Sequence, residues 1–226
     1  MATITRCYTP IKGLMLRTIL LNDCGVPVTG DSGAMVVMKG FTQVQGTAQY
    51  ETGERTVTRL ADGTLCVNDK DPDILTHFEL AADFCTIDPG LVANTISPAR
   101  LLTASEPPTG TGFAMAEGAA VTHFSLEVWQ RVAGRARCAP GGAQRYVYNA
   151  WPHLTDGKLG GNYLIGVQPS TLTIQANSLA VSELWTAGNP WLGSGAITVI
   201  PDHWFQNLTT VAPPTELCGI QNYVAP

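Results

Sequence analysis

Residues His77 to Ile96 join two different periodicities across a helix cap, and that junction constrains the fold more than any other stretch. Phe78, Leu80, Ala82 and Phe84 alternate with His77, Glu79, Ala81 and Asp83, the period-two pattern of a strand with one packed face and one wetter face. Asp88 then offers a carboxylate to the free amides of a new helical turn. Pro89 suits the first helical position because no amide is needed there, and Leu91, Val92, Thr95 and Ile96 form a mostly apolar stripe. Pro98 ends the segment. A helix near residues 88–97 is too short to be stable alone, so it must lie against a sheet.

The rest of the chain reads as strands for that sheet. Residues 1–12 form an N-terminal arm or short edge strand, because Pro10 interrupts pairing. Leu14 to Leu21 is a strongly apolar strand stopped by Asn22-Asp23-Cys24-Gly25, where Asn and Asp bond their own backbone and Gly25 accepts positive φ. A second strand opens at Met35 and runs through Phe41, Gln43 and Gln45 toward Ala48. Tyr50 to Pro72 is the most polar stretch of the N-terminal half. Within it Thr56–Thr58 and Leu65–Val67 pair across Ala61-Asp62-Gly63, which predicts a long loop or hairpin over 46–73, carried by the sheet but not buried in it.

Thr103 to Gly112 reads as a loop. Val121 to Trp129 alternates again, with Phe124, Leu126 and Val128 opposite His123, Ser125, Glu127 and Trp129. A basic, glycine-rich loop over Gly134–Gly142 precedes an aromatic strand, Tyr146 to Trp151, that ends at Pro152. Tyr163–Val167, Ser170–Ala176, Ala196–Ile200 and Asn207–Val211 are the remaining strand candidates, and a Pro-rich C-terminal extension covers 212–226. The pattern predicts an all-β fold: a mainly antiparallel β-sandwich or barrel with one short flanking α-helix, in a single domain over 1–226.

Composition bears on what such a fold would contact. Charged residues make up 14% of the chain, well below the roughly 25% of an ordinary soluble domain. So much uncharged surface points to lasting contact with other subunits, or else to a plain Thr/Gln/Asn-rich sheet surface. The formal net charge of −5 argues against tight nucleic-acid binding, although it does not forbid a duplex passing by. Seven carboxylates and one basic residue lie between Asp62 and Asp88, whereas Arg131, Arg135, Arg137 and Arg145 cluster later. These are either two complementary subunit edges or two ordinary solvated loops.

Catalytic and metal-binding patterns are not evident in the sequence. His77, His123, His153 and His203 form no HExxH or His-x-His pair and read as structural or exposed. Gly157, Gly160 and Gly161 do not make a phosphate loop, and Ser170 has no nucleophile-elbow context. The acidic run Asn68 to Asp73 lacks the glycine and closing glutamate of a calcium hand, so a solvated or subunit-facing turn is the better reading. Cys7, Cys24, Cys66, Cys85, Cys138 and Cys218 are scattered with no CxxC; most read as reduced thiols, often buried, with a bridge as the minor alternative that an even count leaves open. Trp129, Trp151, Trp185, Trp191 and Trp204 read as core or interface packing. No stretch has the apolar core of a signal peptide or the length of a membrane span. No catalytic, cofactor-binding or metal-ligating residue is therefore assigned, and the chain is read as a non-enzyme.

An ordered set of short pieces carries a family likeness. Thr5-Arg-Cys-Tyr8, Leu21-Asn-Asp-Cys-Gly-Val-Pro-Val28, Phe84-Cys85 followed by Ile87-Asp88-Pro89, the Phe124–Trp129 strand, Gly141-Gly142-Ala-Gln, Thr209-Thr210-Val-Ala-Pro-Pro and Cys218-Gly219 together resemble the major tail proteins of long-tailed, siphovirus-type phages of actinobacteria. The likeness covers most of the chain in the same order, and its specificity lies in the ordered set. It implies a structural virion protein, made in the cytoplasm of the bacterial host, that forms homohexameric rings stacked into a tail tube. The implied partners are further copies of the chain, the tape measure protein, and the tail terminator and distal tail proteins. Double-stranded DNA would pass transiently through the lumen during DNA ejection, without specific binding, and no membrane is involved. The likeness implies that the extension at Tyr50–Pro72 reaches a neighbouring ring, and it carries over no catalytic residue. The alternatives are a non-catalytic all-β module binding a glycan or host receptor, a ring-forming tail terminator, and a hydrolase on a β scaffold, for which no acid and base motif is visible.

Overall fold

The computed structural model describes residues 8–28, 34–103, 111–118, 121–139, 141–161, 167, 170–180 and 203–222. The candidate strands Tyr163–Val167 and Ala196–Ile200, together with Trp185, Trp191 and most of the Thr103–Gly112 loop, fall largely or wholly outside them. The strands in chain order are β1 (Pro10–Leu21), β2 (Met35–Met38), β3 (Phe41–Glu51), β4 (Arg55–Arg59), β5 (Leu65–Lys70), β6 (Ile74–Phe84), β7 (Ala99–Thr103), β8 (Thr111–Met115), β9 (His123–Val132), β10 (Tyr146–Gly160), β11 (Leu172–Ser178), β12 (Phe205–Thr209) and β13 (Leu217–Gln221). The helix α1 (Pro89–Thr95) follows β6, and a 3-10 turn covers Gly134–Arg137.

Nine strands form one antiparallel sheet in the order β13-β2-β1-β9-β10-β11-β6-β3. The ninth, β12, pairs with the first part of β10, while β11 pairs with the last part, so β10 is where the sheet divides. The hairpins β4–β5 and β7–β8 stand apart from it. Leu16, Val36 and Met38 from one half of the sheet share a core with Leu80, Ala82, Phe84, Leu172 and Ile174 from the other half. The sheet must curl around this core for those side chains to meet. Leu91 and Val92 of α1, with Ile96 at its C-terminal cap, complete it.

Asp88 sets the position of α1. Its Oδ1 accepts hydrogen bonds from the amides of Gly90 (2.7 Å) and Leu91 (3.3 Å), and its Oδ2 accepts one from Gly219 of β13 (2.8 Å). The cap expected from sequence therefore also fastens the C-terminal strand. At the other end, Ser97 N–H donates to the carbonyl of Gly157 in β10 (3.1 Å). A Cβ on Gly157 would fall on the Thr95 carbonyl, so only glycine lets the helix end approach β10 this closely.

Several expectations change. Pro10 opens β1 instead of interrupting it, and pairs with Val132 just before a register shift. This fits a proline at the first position of a strand. The expected strand from Met35 to Ala48 breaks at Lys39-Gly40: β2 pairs with β1, whereas β3 crosses to pair with β6. The Gly40 carbonyl accepts hydrogen bonds from Cys85 and Thr86, which holds that crossover. β10 continues past Pro152 to Gly160, because the register shift between Trp151 and Leu154 removes the need for a ladder amide at the proline. The four cysteines whose side chains are described, Cys24, Cys66, Cys85 and Cys138, are free and exposed, not buried. They sit in turns, at a strand end and in the β4–β5 hairpin.

The largest departure is on β9. The alternation implies a wetter face at Ser125 and Glu127, yet both, like Trp129 on the same side, are as buried as Phe124 and Leu126. β9 lies in the middle of the sheet, and both of its faces are covered. Arg17 of β1, directly opposite Glu127, donates Nε–H to Oε2 (2.7 Å) and Nη2–H to Oε1 (2.8 Å). Its guanidinium lies 5.6 Å from the Trp129 ring centre, and Trp129 packs at 5.0 Å against Tyr148. Burial pushes the Glu127 carboxyl up from its ordinary value, opposed by the Arg17 charge and by hydrogen bonds from Arg17 and Tyr148.

A buried pair of this kind contributes little net stability but is costly to break one side at a time. Glu127→Ala or Arg17→Met alone should lower unfolding stability by about 3–5 kcal/mol. The double variant Arg17→Met/Glu127→Leu should recover most of that loss, as read by urea denaturation. Single variants within ~0.5 kcal/mol of the parent would contradict the buried pairing.

Candidate functional site

The exposed features of this fold are its sheet edges and the hairpin that grows from one of them. β3 is the last strand of the sheet at its end, and among the described residues nothing pairs with its outer side. Its eleven residues, Phe-Thr-Gln-Val-Gln-Gly-Thr-Ala-Gln-Tyr-Glu, contain no Pro, Lys or Arg. Register shifts lie only near its ends, between Phe41 and Gln43 and between Gln49 and Tyr50. Natural edge strands are usually blunted by charge, proline or bulges, and the stretch between these shifts has none of them. The opposite edge is different: β13 meets β2 in only two ladder pairs, Leu217 with Val37 and Gln221 with Met35.

The β4–β5 hairpin continues from the β3 and β6 ends. The hairpin expected from sequence forms, but in a shifted register: Thr56 pairs with Asp69, Val57 with Asn68 and Thr58 with Val67, so Thr56–Thr58 face Val67–Asp69 and not Leu65–Val67. At the tip, Asp62 accepts from the amide and hydroxyl of Thr64, and Gly63 takes a φ of 86°. These bonds hold the Asp62 carboxyl below its ordinary range. At the neck, the Asp71 amide donates to the Glu54 carbonyl, and Asp73 accepts from the Gly53 amide and from Lys70 Nζ. The Lys70 hydrogen bond is the main reason the Asp73 carboxyl is also lowered. The acidic run is thus tied into the base of the hairpin. Among the described residues, no group of three or more His, Cys, Asp or Glu is gathered as a metal cluster.

Every residue of β4 and β5 is exposed. Exposure of the apolar residues from Tyr50 to Ile74 runs from 41% at Val67 to 63% at Ile74. Cross-strand partners share a face, so Val57 and Val67 lie on opposite faces of the ribbon. A two-stranded ribbon cannot bury both against itself, and an isolated hairpin is marginal in water.

A basic cluster lies away from the hairpin. Lys12 pairs with Arg131, which in turn pairs with Tyr146, and the Arg145 amide donates to the Arg137 carbonyl (2.7 Å), so these residues and the Arg135 backbone gather where β1 begins and β9 ends. The hairpin carries Glu51, Glu54, Asp62, Asp69, Asp71 and Asp73 against Arg55, Arg59 and Lys70, leaving it net acidic.

Among the described residues, two concavities are well formed. The larger, about 740 Å³, lies between α1, β2 and β13 and is lined by apolar groups including Met38, Ile87, Leu101 and Ile220. Its ionisable groups are engaged: Lys39 pairs with Glu216 at 3.1 Å, and Asp88 holds three amides. The smaller, about 370 Å³, is walled by Phe78, Trp151 and Trp204. Among the described residues no helix is long and apolar enough to cross a membrane. No family model matches the chain, and no curated protein matches it.

The histidines fall into three environments. His77 is half-buried with its Nδ1 3.1 Å from the Thr76 hydroxyl, and His203 Nδ1 lies 2.8 Å from the Ser178 hydroxyl. His123 Nδ1 and His153 Nε2 lie 2.9 Å apart on β9 and β10. No sequence signal marks this pairing, because the two residues are thirty positions apart and meet only through strand register. Burial, reinforced by the His123 charge, lowers the His153 pKa. The unfolded chain therefore binds the proton more readily, so stability is present above about pH 6.5 and is lost as pH falls through that region. The urea midpoint should drop between pH 7.5 and pH 5, and the drop should be smaller in His153→Gln. An equal pH dependence in both proteins would contradict the assignment.

Proposed function

We propose that the chain is a structural subunit that assembles with copies of itself into hexameric rings stacked as the tail tube of a bacteriophage. The observation that carries the proposal is the combination of an edge strand, β3, unblunted over its central stretch Gln43–Gln49, with a fully exposed hairpin bearing apolar side chains on both faces. A chain that stayed monomeric would have an aggregation-prone edge and a ribbon with nothing to cover it. Continued sheet pairing around a closed ring uses up the edge, and contact with the next ring covers the ribbon. Because the two edges differ, the ring contact is heterologous, which permits closure into a ring of identical subunits.

In this reading the tape measure protein occupies the lumen during assembly, the tail terminator and distal tail proteins cap the ends, and double-stranded DNA passes through without specific binding. A low charge density suits a wall that must not retain phosphates. The protein is a non-enzymatic virion component, made in the cytoplasm of the bacterial host. The ordered likeness to actinobacteriophage major tail proteins supports the reading, as does the antiparallel sheet with one flanking helix.

Negative-stain electron microscopy across a concentration series should reveal hollow tubes with six-fold rings and a regular axial repeat. The triple variant Val57→Glu/Leu65→Glu/Val67→Glu should keep its monomer stability within ~0.5 kcal/mol, since these positions are exposed, yet lose axial stacking. Monomers alone at every concentration, or isolated rings that never stack in the parent protein, would overturn the proposal.

A further inference from the structure

The smaller concavity has a chemistry that ring assembly does not use. Its walls are aromatic: the Trp204 ring centre lies 6.1 Å from Phe78 and 6.2 Å from Trp151, the latter pair inclined by 32°. Trp204 is 38% exposed, so one part of its ring remains open. The segment that carries it is anchored, because the Ser178 hydroxyl accepts from the Phe78 amide (2.7 Å) and lies 2.8 Å from His203 Nδ1.

One wall of the cavity is a ladder of amides on three adjacent strands. Gln206 Nε2 donates to Asn149 Oδ1 (2.8 Å), and Asn149 Nδ2 donates to Gln130 Oε1 (3.0 Å). Tyr8 feeds the ladder by donating its hydroxyl to Gln206 Oε1 (3.0 Å). All three amides are therefore fixed in one sense, and the ladder ends on the Gln130 amide nitrogen. Each bonded amide group keeps a second N–H or a second lone pair for another partner. Among the described residues, no ionisable side chain lines the cavity.

We infer that this cavity binds a neutral saccharide. A pyranose ring has an apolar face of C–H groups, which packs on an aromatic ring, and an equatorial rim of hydroxyls, each needing both a donor and an acceptor. Oriented amides supply both, and the Trp204 and Trp151 rings supply the apolar surface. The neutral lining excludes phosphate, carboxylate and ammonium groups as the main recognition element, since each would be desolvated without a counter-charge. A volume of about 370 Å³ lies near the lower end of ligand cavities, roughly 300–1,000 Å³, and suits one sugar ring. The site involves neither the outer side of β3 nor the β4–β5 hairpin, so it does not rest on the assembly proposal.

The test is saturation-transfer NMR, with tryptophan fluorescence in parallel, on the full chain with methyl glycosides of glucose, galactose, mannose and N-acetylglucosamine. At least one should bind with a dissociation constant on the order of 1 mM, typical of a single ring in an open site. Trp204→Ala should weaken that binding about tenfold, Gln130→Ala by about fivefold, and Trp204→Phe should retain most of it. Leu60→Ala, at the hairpin tip, should leave it unchanged. The inference is overturned if the folded parent protein gives no transfer from any of the four glycosides, or if transfer is the same in the parent, Trp204→Ala and Gln130→Ala. Binding of a Pro-rich peptide in place of every glycoside would also overturn it. Tube formation by microscopy is read separately, so failure of one proposal leaves the other standing or falling on its own result.

Discussion

A helix of seven residues leaves most of its backbone amides and carbonyls without internal partners, so α1 depends on what surrounds it. The Asp88 carboxylate meets that need at the N-terminal end and binds β13 with its second oxygen. Just past the C-terminal end, the Ser97 amide donates to the Gly157 carbonyl and ties that end to β10. With both ends fixed, Leu91, Val92 and Ile96 fill the space inside the curled sheet. Without that plug, the apolar faces of β1, β2 and β6 would share a void, and cavities of that kind cost several kcal/mol in well-packed cores. The constraint therefore runs from one carboxylate to the helix, from the helix to the core, and from the core to the curvature of the sheet.

A second constraint sits on the other face. Arg17 and Glu127 occupy the interior of the two central strands, where an apolar pair would have packed with less desolvation. Their in-register position fixes how β1 lies against β9, because a one-residue slip would leave both charges buried and unpaired. Edges held at a defined position relative to the sheet centre are what repeated subunit contact requires. The interior of the sheet is thus tightly specified, while β3 and the β4–β5 hairpin are left exposed.

Much of this was legible in the sequence where the signal is local. The alternation of Phe78 to Phe84, the Asp88-Pro89 cap and the Asp62-Gly63 hairpin each depend on residues within a few positions of one another, and each forms, the hairpin in a shifted register. The Asn22–Gly25 stop also holds, with Asn22 Oδ1 accepting from Cys24 and Val26 and Gly25 at a φ of 79°. What was not legible depends on strand order. A charged residue in a strongly apolar strand, Arg17, and another in an alternating strand, Glu127, were the available hints of a buried pair, but no rule of spacing joins positions 110 residues apart. The β7–β8 hairpin was missed because its short strands flank a Pro-rich stretch that reads as loop. The amide ladder of Gln130, Asn149 and Gln206 has no sequence signature, since each is an ordinary polar residue until register aligns them.

In the proposed assembly the open β3 edge becomes a subunit interface. Hydrogen–deuterium exchange of the chain, compared between dilute and concentrated protein, tests it residue by residue. Amides within Phe41–Glu51 should gain protection on assembly to the level of the interior strands β9 and β10, while those strands change little. Unchanged exchange across β3 in protein that has demonstrably assembled would contradict it, and would place the subunit contacts elsewhere on the molecule.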